Sequence, residues 1–465
     1  LIGDPKQAIY GFRGADVFAY LQSVSDVEKC YTLLENRRSD PGLVEAVNRV
    51  FAVNPRPFVY EGIHFHPAVS GRNDDRGEFR VDGRTDAPLC CWFLRSDDFG
   101  AAGRAISRTA AREAAAEAVA SEIAGLVLLG RQGKARIGER NLGEGDIAVL
   151  VRTNREASLV AEKLAAKRVH GVRRGTANVF DTPEAEEMQI LLAAVGMPRA
   201  DGLAAAALAT ELLGATAAEI DAWRGDETSW TQRRQRFFHY HEQWRKRGFV
   251  FMFRSLLQQE AVRSRLLRLP GGERRLTNLQ HLAELLHRAS LEEHLDIRGL
   301  RRWLAQARRR ETTRLREDQL RLESDADAVQ ILTIHKSKGL EFPVVFCPFL
   351  WEGSDVGQGE FLYHDRSEGF RLAMDLGSPD RERHALEAAR EALSENCRLL
   401  YVALTRAKYR CTFVWGKINQ TGTSAPAYLL HGLSAAGADD PVKEAGELWK
   451  GLTEADLRKD LDSLA

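Results

Sequence analysis

Five short apolar, β-branched runs, at 31–34, 147–151, 329–334, 344–349 and 411–415, most constrain what this chain can fold into. Each is bounded by Gly, Asp or Pro, and each reads as a buried strand. Helical patterns lie between them. Ser39-Asp40-Pro41 offers a helix cap followed by proline in the first turn, and Leu43, Val44, Val47, Val50 and Phe51 then recur at helical spacing. Thr182-Pro183 opens another helix that runs to Val195, the alanine-rich stretch 101–124 reads as a helix, and so does 384–407. Strands alternating with helices predict an α/β domain with a largely parallel sheet. The strand-like runs fall on both sides of residues 200–325, which are helical, charged and poor in strand signals. An all-helical domain inserted into the α/β domain is therefore expected, and 465 residues are enough for two to four folding units.

Bulk composition excludes several classes of function. Hydrophobic residues make up 44% and charged residues 28%, the balance of a folded globular protein. Lys plus Arg and Asp plus Glu both number 66, so no net field draws nucleic acid and any such binding must be local. One local candidate is the run 298–316, where Arg298, Arg301, Arg302, Arg308, Arg309, Arg310, Arg314 and Arg316 face the single acid Glu311. It suits DNA phosphates or an acidic partner, and equally a solvated helix face. No apolar run reaches the length that spans a bilayer. The six cysteines, Cys30, Cys90, Cys91, Cys347, Cys397 and Cys411, lack paired metal-ligand spacing, which predicts a reduced, cytoplasmic protein with no metal site in this chain. Leu1 runs straight into Gly3-Asp4-Pro5 as though a strand were already under way, so a piece of a longer protein is expected.

Four segments carry chemistry. The opening Gly3-Asp4-Pro5-Lys6-Gln7-Ala8-Ile9-Tyr10-Gly11-Phe12-Arg13-Gly14-Ala15-Asp16 presents an amide, two aromatics and an arginine within seven residues. A carboxamide there can bond a phosphate oxygen or a water, and aromatic faces beside an arginine suit the stacked bases of a single strand. An ordinary surface loop is the alternative. The same fourteen residues resemble motif III of the UvrD-like helicases of superfamily 1. Leu34-Glu35-Asn36-Arg37-Arg38-Ser39 resembles motif IV, Ile334-His335-Lys336-Ser337-Lys338-Gly339-Leu340-Glu341-Phe342 motif V, and Leu400-Tyr401-Val402-Ala403-Leu404-Thr405-Arg406-Ala407 motif VI. Four motifs in family order do not arise by chance. Asp146 to Asn154 resembles the strand that leads to a further DNA contact. The Gly271-Gly272-Glu273-Arg274-Arg275-Leu276-Thr277-Asn278 segment and the His-Lys-Ser-Lys form of motif V resemble the RecB (exodeoxyribonuclease V beta) branch.

The resemblance implies a RecA-like, P-loop NTPase-like motor fold and the activity of an ATP-dependent 3'-5' DNA helicase in double-strand break repair and recombination. It divides the chain into the tail of a first motor domain (1–27), a second motor domain in two halves (28–199 and 326–430), the helical insertion (200–325) and a C-terminal linker (431–465). It maps Gln7, Arg38 and Arg406 onto catalytic contacts with the γ-phosphate of ATP, and Arg37, Gly339 and Glu341 onto the rest of the nucleotide site. The family usually has an aromatic residue where this chain has Arg37, which puts adenine selectivity in question. Tyr10, Phe12, Arg13, Asn154, Thr333 and His335 map onto the single-strand DNA path. Duplex DNA, the upstream motor domain and RecC-like and RecD-like subunits are the implied partners, with ATP and Mg2+ as cofactors of the complete protein. Neither Gly133-Lys134-Ala135 nor Gly416-Lys417-Ile418 is a phosphate-binding loop, and no Asp-Glu pair follows an apolar strand. The chain alone is thus expected to be inactive in hydrolysis, and no nuclease-type carboxylate cluster follows Trp415. A non-hydrolysing module that binds DNA or a partner is the rival reading.

Overall fold

The computed structural model describes residues 3–9, 17–25, 27, 29, 31–71, 77–101, 103–173, 179–269, 271–309, 328–353, 356 and 359–464. Its strands are β1 (Glu35–Asn36), β2 (Val69–Ser70), β3 (Phe79–Val81), β4 (Leu89–Leu94), β5 (Ala135–Ile137), β6 (Arg140–Asn141), β7 (Ile147–Val151) and β8 (Gly171–Arg173). After the insertion come β9 (Val329–Thr333), β10 (Phe342–Cys347), β11 (Phe361–Asp365), β12 (Arg371–Asp375) and β13 (Ala407–Gly416). Helices α1 (Val17–Ser25), α2 (Pro41–Ala52), α3 (Arg108–Arg131) and α4 (Asn154–Ala166) precede the insertion. The insertion holds α5 (Pro183–Gly196), α6 (Asp201–Leu208), α7 (Ala217–Gly225), α8 (Glu227–Arg247), α9 (Phe249–Gln259), α10 (Val262–Leu266), α11 (Gly272–Glu292) and α12 (Ile297–Arg309). Beyond it lie α13 (Ile334–Ser337), α14 (Arg381–Leu404), α15 (Ala425–His431), α16 (Pro441–Gly451) and α17 (Glu454–Asp462). The chain divides into two compact units, Leu1–Arg173 with Asp327–Ala465, and Arg174–Ala326.

The first unit is built on a six-stranded sheet in the order β4-β13-β10-β7-β9-β8. Every pairing in it is parallel, as expected of a RecA-like motor domain. All five residues of β7 are buried, which is why Ile147 to Val151 could be a continuous apolar run. Helix α2 begins at Pro41 and buries the five residues that the helical spacing picks out. Other expectations need correction. Residues 31–34 are not a strand: Leu33 is 99% exposed, and the ladder with β2 starts at Glu35, with only the Leu34 carbonyl at its edge accepting the Val69 N–H. The helix expected over 101–124 starts at Arg108, where the Ser107 hydroxyl accepts from the Ala110 N–H. The helix expected over 384–407 ends at Leu404, leaving Arg406 beyond it. Residues 431–464 form packed structure instead of a linker. Trp449 and Leu457 enter the core, and the Trp415 indole donates to His431, whose other ring nitrogen meets Asp460.

The second unit is helical throughout its described residues and has its own apolar core. Helix α5, which lies before residue 200, contributes Met188, Leu191 and Leu192 to that core. The Gly271 to Asn278 segment has a structural role. A Cβ on Gly272 would collide with the Leu266 carbonyl, so only glycine allows α11 to start there. One turn on, Arg275 donates to Glu184 at 2.8 Å and also reaches Glu187 and Glu211, while the Asn278 amide holds the second Glu184 oxygen at 3.0 Å. Glu184 is almost wholly buried, so its charge depends on these partners. We expect Arg275→Ala to destabilise the helical unit by about 3 to 5 kcal/mol, because it strands a buried carboxylate. Urea unfolding followed by tryptophan fluorescence measures this. The paired change Arg275→Met with Glu184→Gln should recover much of the loss, and a single variant as stable as the parent would refute the account.

Candidate functional site

The amino ends of β10 and β13 gather the residues that the motifs single out. Asn36 shapes the approach: its side-chain oxygen accepts from the backbone N–H groups of Arg38 and Ser39. Two bonds then staple this loop to the start of β13, Ser39 Oγ to the Ala407 carbonyl at 2.7 Å and Asp40 N–H to the Lys408 carbonyl at 2.8 Å. Arg38 is thereby aimed at Glu341, with Nε 3.2 Å from the carboxylate, and its Nη1 donates to the Thr405 carbonyl at 3.0 Å. Gly339, at φ +84°, lets the chain turn into β10 in a conformation that side chains resist. Glu341 follows two residues later, and its other oxygen lies 2.6 Å from Lys408.

Arg406 is 1% exposed and folds back on the end of α14. It donates to the Val402 carbonyl, the Leu340 carbonyl and the Thr405 hydroxyl at 2.9, 3.3 and 2.9 Å. Those bonds engage three of its five N–H groups, so donors remain for a further acceptor. Burial first, and then the neighbouring Arg38, presses its pKa down to about 10, which still leaves it charged at neutral pH. Lys408, with help from Arg38, holds the Glu341 carboxyl below the usual range. Two cations thus pair with one carboxylate and a third, Arg406, lies near enough to feel its charge, an arrangement that favours an added oxyanion. Gln7 lies in a short 3-10 turn, its amide donating to Asp4 at 3.0 Å, while Lys338 holds the Gln7 carbonyl and Arg398 the Ala8 carbonyl. Arg37 points outward, 78% exposed and paired with Glu35.

Asn154, Thr333 and His335 occupy the opposite edge. Val151 and Thr333 are register partners at the carboxyl ends of β7 and β9, so the loops that carry these residues leave the sheet side by side. Ligands of open parallel sheets bind at that edge. A buried carboxylate shapes it: Glu156 accepts from the N–H groups of Arg152 and Thr153, and the Thr153 hydroxyl accepts from the Glu156 N–H. This capping box is readable from Thr153-x-x-Glu156, yet the family motifs pass over it. They pass over the roles of Thr405 and Lys408 as well, whose contacts follow from strand pairing, which leaves no local signal. Because β9 and β10 both run parallel to β7, residues 334–341 must climb from the carboxyl edge to the amino edge. Tyr10, Phe12 and Arg13 lie outside the described residues.

In the helical unit, Arg308 is engaged by Gln189 and Glu186. Arg298, Arg301 and Arg302 instead line a cleft of about 320 Å³ with Gln189, Leu192 and Leu304, and no acid is among its described lining residues. Arg310, Arg314, Arg316 and Glu311 lie outside the described residues. Among the described residues, no group of three or more His, Cys, Asp or Glu is placed to hold a metal ion, and no helix is long and apolar enough to cross a membrane.

Two family models match: the UvrD-like helicase C-terminal domain over residues 217–417 and the UvrD/REP helicase N-terminal domain over 1–28. The chain thus carries a UvrD-like helicase C-terminal domain. Among curated proteins it is similar to RecBCD enzyme subunit RecB of Escherichia coli (strain K12), with 37% identity over 89% of this chain and 34% of the relative. The RecB subunit of Haemophilus influenzae is 34% identical over 89% of this chain and 33% of the relative. That of Mycobacterium tuberculosis (strain H37Rv) is 34% identical over 93% and 38%. The chain spans about a third of the length of the curated relatives it matches.

Removing the Glu156 carboxylate would leave two inward-facing N–H groups unbonded beside Asn154. We expect Glu156→Ala to cost about 1 to 3 kcal/mol of stability. Chemical denaturation midpoints test this; a variant within experimental error of the parent would mean that Glu156 does not set this loop.

Proposed function

We propose that this chain supplies the second motor domain, with its helical insertion, of an ATP-dependent DNA helicase or translocase of the RecB kind acting in double-strand break repair and recombination. Residues 1–27 are the tail of the preceding motor domain in this reading. One observation carries the proposal: Arg38, Arg406, Lys408 and Glu341 converge at the amino edge of the sheet, while Asn154, Thr333 and His335 share the carboxyl edge. The amino edge suits the phosphates of ATP, because it holds excess positive charge and unengaged guanidinium donors. Arg38 and Arg406 stabilise charge that grows on the transferred phosphoryl group, and Gln7 contributes its amide to the same region. In this reading Mg2+ and the phosphate-binding loop belong to the preceding motor domain. Single-stranded DNA runs past Asn154, Thr333 and His335, with Tyr10, Phe12 and Arg13 adding stacking and charge, and translocation proceeds 3'-5'. RecC-like and RecD-like subunits are the assembly partners, and the protein acts in the cytoplasm.

In the full-length protein, Arg406→Ala and Arg38→Ala should each lower kcat on the order of 10³-fold while changing nucleotide affinity modestly. Phe12→Ala should instead weaken single-strand binding by about 1 to 3 kcal/mol and spare basal hydrolysis. Steady-state hydrolysis with and without DNA, alongside strand affinity, separates the two classes. Near-normal DNA-stimulated hydrolysis in Arg406→Ala would sink the assignment.

The acid-free cleft in the helical unit is assigned to duplex DNA. Changing Arg298, Arg301 and Arg302 together to Gln should weaken duplex binding and reduce the slope of log affinity against log salt by roughly 2 to 3, at about 0.9 for each phosphate no longer neutralised. An unchanged slope would return these arginines to a solvated face.

A further inference from the structure

We propose that Lys408 is a positioning residue for the nucleotide site, holding Glu341 so that Arg38 and Arg406 keep their charge available to a phosphate oxygen. The inference rests on the nucleotide reading of this edge and names a residue that the motifs leave unassigned.

The carboxylate of Glu341 is divided between two cations, with Oε1 2.6 Å from Lys408 Nζ and Oε2 3.2 Å from Arg38 Nε. Lys408 is the second residue of β13, and its own carbonyl accepts the Asp40 N–H that helps staple the Arg38 loop. Its backbone is therefore fixed relative to Arg38. Glu341 is not fixed in the same way: it follows the Gly339 turn, and 43% of its side chain is exposed. Without Lys408, the carboxylate is free to rotate fully onto Arg38, as paired two-point contact with a guanidinium is the preferred geometry. Arg38 would then be neutralised and drawn from its bond to the Thr405 carbonyl, and the shared Thr405 contact with Arg406 would loosen with it. Lys408 thus does two things. It withdraws one carboxylate oxygen from the guanidinium pair, and it keeps net positive charge where an oxyanion is to bind.

Stability alone is a poor account of this pair, since both members are partly exposed and such pairs contribute little to folding. The charged and titratable groups around Glu341 are Lys408 on β13 and Arg38 on the loop before α2. Next comes Arg406 after α14, itself beside Tyr401 and Asp4. Lys408 is the foremost cause of the low pKa of Glu341, so its loss should let the carboxylate protonate at higher pH.

The experiment uses the full-length protein, with ATP as the probe, and compares Lys408→Met, Lys408→Arg, Arg38→Ala and the double variant Arg38→Ala with Lys408→Met. Expected is a drop of about tenfold in kcat for Lys408→Met with KM for ATP changed less than about threefold, the signature of an effect on the transition state. Its acid limb should become shallower, because protonation of Glu341, which occurs at higher pH without Lys408, frees Arg38 from the carboxylate that has captured it. Lys408→Arg should restore both kcat and the limb. The double variant should be no slower than Arg38→Ala. An unchanged kcat and pH limb in Lys408→Met overturns the proposal, as does a further loss in the double variant, or a kcat loss seen only where the variant unfolds in a thermal melt. If Arg38→Ala itself hydrolyses ATP normally, the nucleotide reading fails, and that result is distinct from a failure of Lys408 alone.

Discussion

Parallel pairing of β7, β9, β10 and β13 is the constraint from which the rest of the sheet unit follows. Strands that all run one way put every amino end on one edge and every carboxyl end on the other, so each connection must travel the height of the sheet. Thr405, Arg406, Lys408 and Glu341 share an edge because they precede β13 and β10 or open them. Asn154, Thr333 and His335 share the other because they follow β7 or end and follow β9. Residues 334–341 are the shortest route between the two groups. A displacement at one end of this segment is passed to the other through one helical turn and one glycine, which gives a physical basis for coupling the two edges.

Charge is organised differently in the two units. At the amino edge of the sheet, cations outnumber carboxylates and donors are left over, as suits a surface waiting for an anion. In the core of the helical unit, Arg275 meets Glu184, Glu187 and Glu211 with Asn278 beside them, and the network specifies how α5 and α11 meet. The same residue type serves the cleft of Arg298, Arg301 and Arg302, where no carboxylate is among the described lining residues. An arginine run in the sequence is thus two different things in the structure: Arg308 is engaged by Gln189 and Glu186, and Arg298, Arg301 and Arg302, about two and three turns earlier, line a cleft with no acid among its described lining residues.

Much of the fold was legible in the order of residues alone. Ile147 to Val151 is apolar at every position because a central parallel strand is covered on both faces, and α2 repeats apolar residues at the spacing that one buried helix face requires. Failures have equally plain causes. Residues 31–34 have strand composition yet stay exposed and outside the β1–β2 ladder, and the boundary of α3 was set by a serine cap and not by alanine content. Motif order identified Arg38, Glu341 and Arg406 as a set. It could not say that Arg406 is buried on its own helix end or that Lys408 competes for Glu341.

What the sequence determined by itself is the class of fold, the interruption by a helical unit and the family of the chain, because hydrophobic period, caps and motif spacing are local properties written residue by residue. What only the tertiary structure decided is which side chains meet. Arg38 and Glu341 are 303 residues apart, and Arg275 and Glu184 are 91 apart. Such contacts depend on strand order, register and helix packing, and these are set by the free energy of the whole core, of which no short segment holds a record.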